Sequence, residues 1–265
     1  MLADRFPLFA RSLSDSRRGI VGWTIAVAAT SLMYMSSYQT VASAKTAGIN
    51  SLPEGVRVAF DLQDLGSGAG YVQSTVIGML ALVLITVAAV AIGTKAIAGD
   101  EETGSLELTL AHGVTRQQVL RERAAALVVQ VGWLAVVVAL AIVALTGPVH
   151  LGIDAGHAFA GALALAALAL VHGGAALAAG AFTGRRVVAL VAGVAVAVLG
   201  YLANTIGAVV KGVRWLQTMS PVHWAFSDRP LQNGVDWGGT GLLVLVAVLL
   251  VAVGGWRLSR RDIGA

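Results

Sequence analysis

Apolar and polar positions alternate along this chain on the scale of whole segments rather than single residues. Six uninterrupted apolar stretches cover residues 19–41, 71–98, 124–146, 158–182, 187–210 and 238–256. Each is long enough as a helix to cross a hydrocarbon layer about 30 Å thick. Ahead of the first, residues 1–18 show a different pattern. Leu2, Phe6, Phe9 and Leu13 recur at spacings of four, three and four, with Arg5, Arg11, Arg17 and Arg18 around them. That is one stripe of an amphipathic helix lying at a membrane surface, and Pro7 suits its first turn. The plainer alternative is a basic tail that only sets orientation. The pattern predicts an all-α polytopic membrane protein with six transmembrane helices in a single domain spanning 1–265.

The polar segments between the spans are unequal. Residues 99–123 open on Asp100, Glu101 and Glu102 and close on Arg121, Glu122 and Arg123. Between them, Ser105 to His112 predicts a short helix bounded by Gly104 and Gly113, because Gly readily ends a helix. Leu106 and Leu110 are four apart and share a face, which fits a groove on a partner. Thr115 and Gln118 read as a capping box that starts the next helix. Residues 42–70 form a polar loop. Residues 211–237 carry Trp215, Trp224, Phe226 and Trp237 with Pro221 and Pro230, an aromatic segment suited to the membrane interface. Gly193, Gly200 and Gly207 repeat every seven residues, a smooth face for close helix packing. Packing inside one subunit is the plainer reading and a dimer interface the alternative.

Composition agrees with the membrane assignment: 57% of residues are hydrophobic and 12% charged, against about a quarter charged in soluble domains. With no cysteine, disulfides and thiolate chemistry are excluded. The apolar core after the basic start is too long for a secretory signal, so an uncleaved anchor is expected despite Ala42-Ser43-Ala44. Ala, Val, Gly and Arg usage points to a GC-rich bacterial genome, hence to a bacterial inner membrane. Of the 18 Lys and Arg, only Lys45, Arg57, Lys211, Arg214 and Arg229 fall on the side away from the termini. The positive-inside rule then places both termini and residues 99–123 in the cytosol.

Few polar groups lie within the spans. Tyr34 and Tyr38 in the first, and Tyr201 and Asn204 in the fifth, are candidates for a translocation path; hydrogen bonding between helices is the alternative for each. Gln130 and His172 are the other polar groups within the spans, and His172 reads as an interhelical hydrogen bonder rather than a relay. No Asp, Glu, Lys or Arg sits mid-span, which argues against a proton- or sodium-coupled carrier. His150, Asp154 and His157 have spacings that suit one helical face, but a short Gly-rich loop is a weak metal site, and whether they bind anything stays open. No metal site and no catalytic residue is expected. None of the three lysines follows a glycine, so there is no G-x-x-x-x-G-K-[ST] phosphate loop, and the chain is not expected to hydrolyse ATP.

The run Asp100-Glu101-Glu102-Thr103-Gly104-Ser105-Leu106-Glu107, followed by Leu110-Ala111-His112-Gly113-Val114-Thr115-Arg116, resembles the cytosolic motif of ABC-2 type transporter permeases, the membrane subunits of ATP-binding-cassette exporters. Ser105 stands where that family usually has Thr, Gly113 where Pro is common, and Thr115 in place of Ser. Arg260-Arg261-Asp262-Ile263 resembles the family's ending. The resemblance implies a coupling helix between spans 2 and 3, with Glu101, Glu102, Gly104, Leu106, Glu107, Leu110 and Arg116 meeting ATPase subunits. The charges would hold that interface and the leucines fill the groove. It implies ATP and Mg on the partner, no cofactor bound directly, and a second permease copy or a paralogue. It implies a re-entrant segment before span 6, with Trp215, Pro221 and Trp224 at an outer gate. The expected function is export of a hydrophobic small molecule, drug, lipid-like compound or peptide, with no nucleic-acid partner. A non-transporting membrane assembly or maturation factor is the alternative.

Overall fold

The computed structural model describes residues 7–40, 53–59, 64–111 and 113–261. It is a helical bundle, with no strand among the described residues. Six helices are long and apolar enough to span a membrane. They are α2 (Arg17–Ser36), α4 (Gly68–Glu102), α6 (Arg116–Thr146), α7 (Ala155–Thr183), α8 (Arg186–Val209) and α12 (Trp237–Arg260). Around them lie shorter helices: α1 (Pro7–Asp15), α3 (Glu54–Ala59), α5 (Ser105–Ala111), α9 (Arg214–Thr218), α10 (Pro221–Phe226) and α11 (Pro230–Asn233). Ala42-Ser43-Ala44, Asp262 and Ile263 lie outside the described residues, as do Leu2, Arg5, Phe6 and His112.

Sequence sets the helix ends locally. Pro7 opens α1, and Thr115 caps α6 by accepting the Gln118 backbone N–H at 3.2 Å. The other half of the expected capping box does not form. The Gln118 side chain donates instead to Glu122 Oε1, 2.8 Å away. Asp154 caps α7 by accepting the Gly156 N–H, while His150 sits in the preceding turn with φ 56°. His150, Asp154 and His157 therefore do not share a helical face. Asp236 caps α12 by accepting two N–H groups, from Gly238 and Gly239.

Helix α7 is the axis of the bundle, packed by α4, α6, α8 and α12. It is rich in Ala and Gly, and that composition lets neighbouring backbones approach. A Cβ on Gly173 would stand 2.9 Å from the Ala89 carbonyl oxygen, and one on Gly93 would collide with the Gly173 carbonyl. The seven-residue glycine face of α8 also packs within the subunit. Gly193 meets Val90 and Ala176, Gly200 meets Pro221, and Gly207 meets Gln217. The opposite flank of α8 is exposed at Val187, Val191, Val198 and Leu199, as befits a helix facing lipid.

After α8 the chain doubles back. Gln217 in α9 lies on Gly207, and Pro221 at the start of α10 lies on Gly200. The Ser220 hydroxyl donates to the Gly200 carbonyl at 2.7 Å. Gly200 is nine residues before the end of α8, so the chain returns about 14 Å along it at 1.5 Å per residue. Leu231 of α11 then packs on Gly161 of α7.

At the same end, Asp64 accepts hydrogen bonds from the Ser67 hydroxyl and the Gln232 amide, both at 2.7 Å. This carboxylate fixes α11 to the start of α4.

Candidate functional site

The segment that joins α4 to α6 is built at the end of the bundle that carries the described termini. Helix α4 relaxes into a π-helical turn over Lys95–Gly99 immediately before Asp100. Such turns loosen the regular i→i−4 ladder and often mark functional sites. Asp100, Glu101 and Glu102 follow on the last helical turn. Gly104 and Gly113 bracket α5 with φ of 73° and 80°, a region that glycine enters without a Cβ penalty. The Ser105 hydroxyl donates to the Asp100 carbonyl at 3.1 Å and the Thr103 hydroxyl to the Gly99 carbonyl at 3.1 Å. These turn bonds tie the start of α5 to the end of α4.

Each acid of the triplet holds a different helix. Asp100 pairs with Arg123 in the first turns of α6. Glu101 pairs with Arg261, just past α12, and its carboxylate lies over Gly184 in the turn between α7 and α8. Glu102 accepts the backbone N–H of Arg186 at 2.8 Å, the orphan donor at the N-terminus of α8. The first two pairs are well shielded, with side chains 12% and 16%, and 13% and 17%, exposed. Arg116 closes the ring by donating to the Leu258 and Arg261 carbonyls at the C-terminus of α12. A cation there also meets the negative end of the helix dipole. Of the acids that the resemblance placed against a partner, Glu101 is thus turned inward. Arg116 too is engaged within the chain.

On α5 the faces are distinct. Leu106 is 2% exposed and belongs to the core, and Leu110 is half-buried against it. Glu107, Leu108 and Ala111 point away from the bundle, with Leu108 67% exposed.

A second clamp, which the sequence reading did not single out, is Glu122. It is 4% exposed and accepts the backbone N–H of Phe9 at 2.8 Å through Oε2, while Oε1 takes the Gln118 amide. Phe9 lies in the first turn of α1, so a carboxylate sits where helix N-terminal donors are unpaired. Leu8 and Ser12 are the buried positions of α1, and that helix packs on α6. Glu122→Ala should free α1 at a cost of about 1–3 kcal/mol, the usual penalty for orphaning buried polar groups. Because the chain has no cysteine, a single Ser12→Cys reports this directly. Maleimide labelling there should be slow in the parent and several-fold faster with Glu122→Ala; equal rates would show that α1 is held by packing alone.

The other sequence candidates lie towards the opposite end and do not converge. The Tyr71 hydroxyl donates to the Tyr34 carbonyl and the Tyr38 hydroxyl to the Gly66 carbonyl, each at 2.9 Å. The Tyr38 and Tyr71 rings are 5.4 Å apart. These residues fix α2 to the start of α4. Tyr201 and Asn204 are half-buried on α8, which shares no substantial packing with α2. Trp215 is exposed, Trp224 donates its indole N–H to the Thr218 carbonyl at 2.7 Å, and Pro221 rests on Gly200. Among the described residues no group of three His, Cys, Asp or Glu is placed to hold a metal ion.

No curated protein matches the chain. The family model described as ABC-2 family transporter protein matches residues 7–263. That span takes in all six apolar helices and the acid-tethered segment between the second and third, and this multi-pass membrane protein belongs to the ABC-2 transporter permeases, the non-catalytic membrane components of transporters that work with an ABC ATPase.

Proposed function

We propose that this chain is the permease of a bacterial inner-membrane exporter for a hydrophobic or lipid-like small molecule or peptide. A separate ATPase docks on α5, and a second permease copy or paralogue completes the path. The carrying observation is the acid triplet. A push on α5 passes through a hydrogen-bonded turn to Asp100, Glu101 and Glu102, and from there to α6, α12 and α8 at once. One docked partner therefore biases several spans together, the rigid-body kind of transition that alternating access requires. The docking face is Glu107, Leu108 and Ala111. Leu106 and Leu110 anchor α5 from beneath rather than filling the partner's groove. The excess of Lys and Arg at this end supports a cytosolic placement for it and for both termini.

The doubled-back segment 211–236 supports a re-entrant element at the outer end, with Pro221 on Gly200 as its turning point and Trp215 at the lipid interface. Tyr34 on α2 and Tyr38 just past its end, and Tyr201 and Asn204 on α8, are separated within one subunit. A shared path between them needs a second copy.

Membranes solubilised in mild detergent, with a tag at Ala265, test the docking reading. A soluble ATPase should co-purify with the parent, and Glu107→Lys with Leu108→Asp should release it at least tenfold while the permease elutes as a single species. Recovery of the permease alone, or with a partner that has no ATPase activity, would overturn the reading and favour an assembly role.

A further inference from the structure

An exposed stripe runs along α4 from Met79 to Lys95, winding gradually round the helix. Met79, Val83, Val87, Ala91 and Lys95 follow at intervals of four, and every one is exposed. An apolar stripe facing lipid thus ends in a cation. The neighbouring helix α8 begins with an exposed Arg186 and continues with exposed Val187, Leu190 and Val191. The two helices are pressed together at Gly193 and Val90.

The Lys95 and Arg186 side chains both pass beside Gly99. The position a Cβ would take on that glycine is 3.3 Å from Lys95 Cγ and 3.8 Å from Arg186 Nε. The stems of both side chains therefore flank one point, and Arg185 adds a third exposed charge beside it. Acids lie close by in sequence, but none of them pairs with the Lys95 ammonium or the Arg186 guanidinium. Asp100 is held by Arg123, Glu101 by Arg261, and Glu102 by the Arg186 backbone N–H. Among the described residues no carboxylate oxygen lies within ion-pair distance of Lys95 or of the Arg186 guanidinium. Two unneutralised cations at the foot of an apolar stripe match one class of ligand, a molecule with a phosphate head and an acyl tail.

We propose that the foot of the α4–α8 seam binds an anionic phospholipid, its phosphate between Lys95 and Arg186 and an acyl chain along Met79, Val83 and Val87. A free phosphate ion would use the cations but not the stripe. Basic pockets between membrane helices are suited to such head groups. The site adjoins the Lys95–Gly99 turn that carries the acid triplet, so an occupant would stiffen the lever proposed above. The proposal rests on that reading only for assigning the lipid to the inner leaflet.

Native mass spectrometry of the purified permease tests it without any ATPase, so its failure and that of the docking reading are separate results. The probes are phosphatidylglycerol and phosphatidylcholine with matched acyl chains, exchanged in from mixed vesicles. The parent should retain phosphatidylglycerol in preference. Lys95→Ala should reduce that retention about fivefold, and Lys95→Ala with Arg186→Ala about 10- to 30-fold, since each cation near an anionic head group contributes on that scale. Lys95→Arg should keep it. Arg121→Ala, at an exposed cation of the same end, should leave it unchanged. Equal loss with Arg121→Ala would mean a diffuse surface charge and overturn the site. So would unchanged retention in the double variant, equal retention of the two lipids, or retention of soluble glycerol phosphate in place of the lipid.

Discussion

Arg123→Ala is expected to be among the most damaging single substitutions outside the core, destabilising the permease by about 3–5 kcal/mol, because it strands Asp100 as a buried, unpaired charge. The pair is more than four-fifths shielded on both sides, so solvent screening reduces that cost little. Glu101 and Arg261 are shielded to the same degree, and Arg261→Ala should fall in the same range. Glu102 differs. It is exposed and holds a backbone N–H rather than a guanidinium, so Glu102→Ala should cost only about 1 kcal/mol, as for loss of a helix cap. The double variant Asp100→Leu with Arg123→Met should recover most of the loss, since an apolar pair of similar volume can replace a buried ion pair. Heat-inactivation midpoints in detergent, followed by monodisperse recovery on gel filtration, give the ranking. An Arg123→Ala loss no larger than that of Glu102→Ala would show that the triplet does not clamp the helices. So would a double variant as unstable as the sum of its singles.

The contrast among the three acids also shows what the sequence could and could not convey. The six spans were legible because each buries a continuous apolar run or turns it towards lipid. The observed helices extend past those runs where polar residues keep the backbone helical outside the hydrocarbon. Helix α6 begins at Arg116, eight residues before its apolar core at 124. The helix between Gly104 and Gly113 was legible from its brackets, which need positive φ. Its orientation was not. The spacing of Leu106 and Leu110 says that they share a face, and nothing local says whether that face meets the bundle or a partner; packing against the core decided it. The partners of the triplet lie 23, 160 and 84 residues away, and no local periodicity encodes such pairings. The one available signal was charge symmetry, with three acids opening the segment and Arg121 and Arg123 closing it. Glu122 stayed hidden because a lone carboxylate between two arginines reads as a solvated surface.

Gly93→Ala is expected to have the largest effect per atom added, since one methyl group should lower the inactivation midpoint more than any cap substitution does. The obstacle is the carbonyl oxygen of Gly173, a backbone atom inside a buried helix that cannot turn aside as a side chain would. Relief requires α4 and α7 to move apart, and α7 is gripped by α6, α8 and α12, so the strain spreads through the bundle. Overpacking of this kind costs about 1–3 kcal/mol and sometimes more. Gly173→Ala meets the Ala89 carbonyl from the other side and should behave alike. Gly132 on α6 supplies the control. Nothing lies within 4 Å of the position its Cβ would take, so Gly132→Ala should be neutral or stabilise by about 0.5–1 kcal/mol through the lower helix-forming cost of alanine. The two classes therefore differ in sign, which general sensitivity of the spans to added bulk would not produce. If Gly93→Ala and Gly132→Ala shift the midpoint equally, the α4–α7 crossing is looser than a glycine-on-backbone contact. If only the crossing glycines destabilise, that contact is the fulcrum against which the triplet at the end of α4 can act.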